Sequence, residues 1–152
     1  MDRRARELHE QTIVVDGHDH FMRELVRRRN MGHKAVFLND FAPIVRRSSI
    51  NVIVTCVGGD NTCLTNNSDL MLWGSLWIMD MLWQEVEESN DIMAICLNAG
   101  DIDAALTEGK IALLLQLEGG RPLEGKPNLE TLVGLRTFYR QGVRVLQLVD
   151  NG

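Results

Sequence analysis

Four short apolar runs, each stopped by acidic or glycine-rich turn residues, dictate more about this chain than any other feature of it. They are Thr12 to Asp16 (TIVVD), Asn51 to Val57 (NVIVTCV, closed by Gly58-Gly59), Ile111 to Leu117 (IALLLQL, closed by Glu118 and Gly119-Gly120) and Val143 to Val149 (VRVLQLV). Runs of this length, rich in β-branched residues and apolar on both faces, are the pattern of strands buried in a parallel sheet. Amphipathic stretches separate them: Phe21 to Arg29, Phe41 to Arg47, Leu70 to Glu88, Asp101 to Glu108 and Asn128 to Gln141. The last has Asn128 as a cap and Gly142 just past its end. Ile92 to Leu97 reads as a short extra strand or a loop. The alternation predicts an α/β chain of successive β-α units.

About four such units are present, whereas a (β/α)8 barrel needs eight strands and roughly 250 residues. With 152 residues and nothing marking a domain boundary, the expectation is a single domain over 1–152. It is either an open sheet or the amino-terminal half of a barrel. The sequence stops directly after a hydrophobic run, which would leave an uncovered sheet edge, so truncation is expected. The 45% hydrophobic and 24% charged content supports a packed core.

Charge and cysteine usage exclude other classes. Sixteen Lys and Arg against 21 Asp and Glu give a formal charge of −5, which offers phosphate backbones no attraction, so no nucleic-acid partner is expected. The charged opening MDRRARELHEQ is no secretory signal. The apolar stretch after Leu70 is interrupted by Asp80 and is too short to span a membrane. Cys56, Cys63 and Cys96 lack zinc-knuckle or redox spacing and read as free thiols in a cytoplasmic, reducing setting.

The chemistry-bearing residues sit at the ends of the runs. In Asp16-Gly17-His18-Asp19-His20, side chains two apart on an extended segment share a side, so His18 and His20 can offer two imidazoles to one metal ion. Asp16 and Asp19 fall on the other side or behind, where a carboxylate can fix a histidine tautomer. The alternative is a pair of surface histidines. Glu118, after a very apolar run and before two glycines, can be a carboxylate ligand or a solvated turn residue. Ligands of parallel α/β folds gather at these strand ends. His9 and His33 read as solvated or capping residues. Arg27-Arg28-Arg29 and Arg46-Arg47 read as solvated helix ends. The tryptophan-rich helix is apolar around most of its circumference, so a second buried surface, such as a homodimer contact through Leu70 to Glu88, is a further expectation.

Three segments in order, VVDGHDH, GDIDAALTEGKIALLLQLEGG and LRTFYRQGVRVLQLVDN, resemble the amino-terminal half of the renal (membrane) dipeptidase family. These are zinc-dependent dipeptidases of the amidohydrolase superfamily with a (β/α)8 barrel. The resemblance implies a partial TIM barrel, two zinc ions in the complete family site and dipeptide substrates. In the family motif DGHxD the His and Asp bind one zinc, and the Glu before the glycine pair bridges both. His18 and Glu118 stand at the matching positions. His20 replaces the family's Asp, giving the HxH form found more widely among amidohydrolases. Asp150 precedes Asn151 where the family often has a substrate-contacting His. Two later histidine ligands and an acidic proton carrier have no counterpart here.

The resulting expectation is a zinc-dependent dipeptidase, with His18, His20 and Glu118 as ligands and the isolated chain inactive or nearly so. The alternatives are a non-catalytic α/β module derived from a barrel hydrolase and an amidohydrolase acting on a non-peptide bond.

Overall fold

The apolar run that ends in Glu118 becomes the centre of a parallel sheet. In the computed structural model, which describes residues 3–60, 71–123 and 129–150, this strand is β4 (Ile111–Glu118). Along one edge it pairs with β2 (Val52–Gly59), which pairs in turn with β1 (Val15–Asp19). Its other edge is shared. A short β3 (Met93–Ile95) pairs with Ile111 to Leu113, and β5 (Val143–Gln147) pairs with the stretch from Leu115 to Glu118. Every ladder is parallel. The arc β1-β2-β4-β5 is therefore a partial (β/α)8 barrel of four strands, with β3 set below β5 on the same edge.

Strand alternation separates two faces. Ile53 and Val57 of β2 and Leu113, Leu115 and Leu117 of β4 lie in one core with Met22 and Leu25 of α2 (Phe21–Asn30), Ile78, Met79 and Leu82 of α4 (Met71–Glu88), and Phe138 of α6 (Leu129–Arg140). Val52 and Ala112, on the opposite face, pack with Cys96 and with Ile102 and Ala105 of α5 (Ala99–Thr107). The reason is handedness. The chain crosses over β4 to reach β3 and then steps back one place, and a right-handed step in that reversed direction puts its helix on the other face.

Boundaries moved where local bonding outweighed hydropathy. The charged opening is helical, α1 (Arg3–Glu10), and Thr12 closes it by donating its hydroxyl to the carbonyl of Leu8 at 3.0 Å. The first strand thus begins at Val15 rather than Thr12. The helix expected over Phe41 to Arg47 is present as α3 (Ala42–Ser48), and a π-helical turn, Phe37–Phe41, leads into it. α5 starts two residues early because Asn98 accepts from the Asp101 amide at 3.1 Å while the Asp101 carboxylate accepts from the Leu97 amide at 2.8 Å, a reciprocal cap. β5 ends at Gln147, two residues short of Val149. Leu70, the Asn128 cap, Cys63 and Asn151 lie outside the described residues.

The arginine run after β1 is only partly solvated. Arg27 and Arg28 pair with Glu24, but Arg29 is largely buried and binds Glu85, itself fully buried, at 2.8 Å, and Glu88 at 2.9 Å. Glu85 also accepts from the Phe37 amide at 2.6 Å and from the Ser89 hydroxyl at 3.0 Å. This network pins the turn after α2 to α4.

Candidate metal centre

β1 does not deliver its histidines by simple alternation. Its pairing with β2 runs Asp16 to Ile53 and then Asp19 to Thr55, one residue more on β1 than on β2. The extra residue is a bulge around Gly17 and His18, a device that re-aims side chains beside functional sites. The strand ends at Asp19, whose carboxylate accepts from the Phe21 amide at 2.7 Å and starts α2. His20 occupies the cap position, with φ −116° and ψ 22°. Burial, assisted by the charge of Asp16, raises the Asp19 carboxyl above its usual range despite that amide bond.

β4 supplies the opposing groups. Gln116 and Glu118 fall on the same face as Ala112 and Leu114, the side opposite α2 and α4, and Glu118 is the last residue of the strand. Its Oε1 lies 2.9 Å from His18 Nε2 and its Oε2 lies 3.6 Å from His20 Nε2, while the two imidazole Nε2 atoms are 3.0 Å apart. One ligand atom from each of the three residues lies within 4.8 Å of the others. Ligands held at about 2.0 to 2.2 Å from a common zinc ion would stand about 3 to 3.5 Å from one another, so the spacing fits a single cation. The chemistry fits as well: two imidazoles and a carboxylate are borderline ligands suited to zinc.

Two neighbours complete the arrangement. His18 Nδ1 lies 3.0 Å from Gln116 Oε1, and Gln116 is buried. Cys56 of β2 lies 3.8 Å from Glu118 Oε2. Its own burial, with the Glu118 charge behind it, pushes that thiol up to about 11 against the hydrogen bond it makes to Gly58. It stays protonated at neutral pH.

The glycine pairs permit close backbone approach. At Gly59, with φ +140°, a Cβ would strike the backbone of Glu118; at Gly119, with φ +106°, it would strike the carboxylate of Asp60. Asp60 donates its amide to the Glu118 carbonyl at 2.8 Å and accepts from the Arg121 amide at 2.8 Å. Gly119 donates to the Gln147 carbonyl at 2.9 Å. Glu118 is clamped from both sides.

A family profile described as membrane dipeptidase (peptidase family M19) matches residues 2–152. The chain belongs to the membrane dipeptidase family. No curated protein matches its sequence. Among solved structures it is similar in fold to the dipeptidase AC, a metallopeptidase of family M19, with a TM-score of 0.72 at 16% identity over 90% of this chain and 42% of that one. The probable dipeptidase PvdM from Pseudomonas aeruginosa gives 0.72 at 16% over 99% of this chain and 38% of that one. A metallopeptidase from Rhodobacter sphaeroides, liganded with a phosphinate mimic of the dipeptide L-Ala-D-Ala, gives 0.72 at 14% over 90% and 45%. This membrane dipeptidase relative thus spans somewhat less than half the length of those structures.

Of the residues singled out in the sequence, His18, His20 and Glu118 are brought together. Asp16 accepts from the backbone amide of His18 at 3.3 Å, and the group bonded to His18 Nδ1 is Gln116. Asp150 is half-buried, three residues past the end of β5. His9 joins α1 to the Ser48 carbonyl at 2.7 Å. Gln116 escaped the sequence reading. The available signal was one amide inside an apolar run, two residues before Glu118 and hence on its face.

Proposed function

We propose that this chain carries part of a zinc-dependent dipeptide-hydrolysing centre in which His18, His20 and Glu118 are protein ligands. The observation that carries this reading is the convergence of the three side chains from β1, the cap of α2 and the end of β4. Zinc in such a site supplies a Lewis acid for a scissile carbonyl and a means of deprotonating water near neutral pH. The chain's own contribution is positional. His18 and His20 face one point, and Glu118 has two oxygens available for the bridging role that the family resemblance implies. Asp150, at the same end of the sheet, is the proposed substrate contact, and Asp16 steadies the bulge that presents His18.

The second zinc of the family would need donors beyond these three, and the described residues offer one cluster of this kind. The 152-residue polypeptide by itself is therefore expected to hydrolyse dipeptides weakly or not at all. That same count favours the second reading, a non-catalytic module derived from a barrel hydrolase. Metal analysis of the dialysed protein separates the two. Stoichiometric zinc, weakened at least about tenfold by Glu118→Gln, supports the centre, whereas a folded protein that retains no metal supports the module. A panel of dipeptides, N-acyl amino acids and lactones addresses the non-peptide alternative. The free thiols Cys56 and Cys96 support a reducing, cytoplasmic location. Trp73, two-thirds exposed on α4, supports self-association through that helix.

A further inference from the structure

We infer that a directional chain of side-chain amides, Gln147 to Gln116 to His18, fixes which nitrogen of His18 is free to bind metal; its functional meaning rests on the metal-centre reading. The direction starts from a group that can act in one way only. The carbonyl of Val149 accepts hydrogen bonds and cannot donate, so the Gln147 side chain meets it with Nε2, at 2.9 Å. Gln147 Oε1 therefore points the other way and accepts from Gln116 Nε2 at 3.4 Å. Gln116 is thereby oriented with Oε1 toward His18 Nδ1, 3.0 Å distant. An amide oxygen accepts only, so Nδ1 must carry hydrogen, and in the neutral imidazole the lone pair is thereby placed on Nε2.

Nε2 is the atom that faces Glu118 and His20. A lone pair set 2.9 Å from a carboxylate oxygen needs a positive centre between them, which a metal ion supplies when bound and a proton supplies otherwise. The relay thus keeps His18 from satisfying Glu118 with a neutral N–H and holds the site ready for a cation. It also joins three strands, since Gln147 is on β5, Gln116 on β4 and His18 on β1. Gln116 and Gln147 are positioning residues: they act through His18. Ligand histidines commonly have their second nitrogen fixed by a carboxylate, a backbone carbonyl or water. Here a buried amide does it, anchored at a distance by the main chain.

The test is made on the metal-free chain by long-range nitrogen–proton NMR of its histidines, with zinc affinity measured alongside by chelator competition. Wild-type His18 should carry hydrogen on Nδ1. In Gln116→Met the hydrogen should move to Nε2, and zinc affinity should fall about 10- to 100-fold. Gln147→Ala, at an exposed position that does not threaten folding, should give a mixture of the two forms with a smaller loss. Gln116→Glu, whose carboxylate also only accepts, should restore both the Nδ1 hydrogen and the affinity. A His18 that keeps hydrogen on Nδ1 in both Gln116→Met and Gln147→Ala overturns the relay. A wild-type chain that binds no zinc but shows these tautomer shifts upholds the relay and defeats the metal-centre reading, so the two fail separately.

Discussion

Glu118 is held by its backbone as much as by its side chain, and the glycines around it are the most sensitive positions in the site. Gly119→Ala would drive a methyl group into the Asp60 carboxylate at a φ of +106°. The expected cost is about 1 to 3 kcal/mol, measured by urea unfolding, together with weaker zinc binding because the carbonyl of Glu118 loses its partner in Asp60. A fully stable Gly119→Ala protein would show that the clamp is not needed. At this scale the sequence was informative about which groups meet and silent about how. The pairing of His18 with His20 was legible from their spacing, but extended alternation is not the route: a bulge and a helix cap place them. Gln116 was invisible because one polar residue in an apolar run is outweighed by its neighbours in any reading of hydropathy.

Helix packing depends on one network that hydropathy could not reveal. Glu85 is fully buried and serves Arg29, the Phe37 amide and the Ser89 hydroxyl together. Glu85→Ala would leave a largely buried guanidinium with one partner fewer and a buried amide with none. A loss of about 3 to 5 kcal/mol is expected in chemical denaturation, with Glu85→Gln milder because it still accepts. The exposed end of α2 predicts a pH effect instead. Hydrogen bonds from Arg27 and Arg28 push the Glu24 carboxyl down to about 2. A depressed carboxylate stabilises the fold above the ordinary glutamate range, and that contribution disappears as pH falls toward about 2. Glu24→Gln should flatten stability across this window, and an NMR titration placing Glu24 at an ordinary value would contradict it. The arginine run was readable as a helix end. That one of its members turns inward follows from where α4 lies, which only the tertiary fold decides.

At the level of the molecule, the parallel α/β class followed from apolar runs separated by amphipathic stretches, because a strand buried on both faces leaves little choice of environment. The runs alone left an open sheet and half a barrel equally open, and the resemblance to the dipeptidase family was what implied the barrel arc. The position of β3 did not follow: three residues of pairing are too few to separate a strand from a loop by pattern. The outer face of α4 bears Trp73 and, with α6, lines an apolar groove of about 380 Å³ at Leu72, Leu76, Val133 and Gly134. If this face mediates the proposed homodimer, sedimentation should give a dimer that Trp73→Ser converts to monomer with the fold retained. A wild-type monomer at high concentration removes that proposal.

The helix on the unexpected face has a consequence for traffic. α5 covers Ala112 near the start of β4, whereas Glu118 lies at its finish, roughly 20 Å further along at about 3.3 Å per residue. The arc is therefore stoppered at its base. A ligand bound beside His18 and Glu118 is reached from the strand-end side and not through the base that α5 covers.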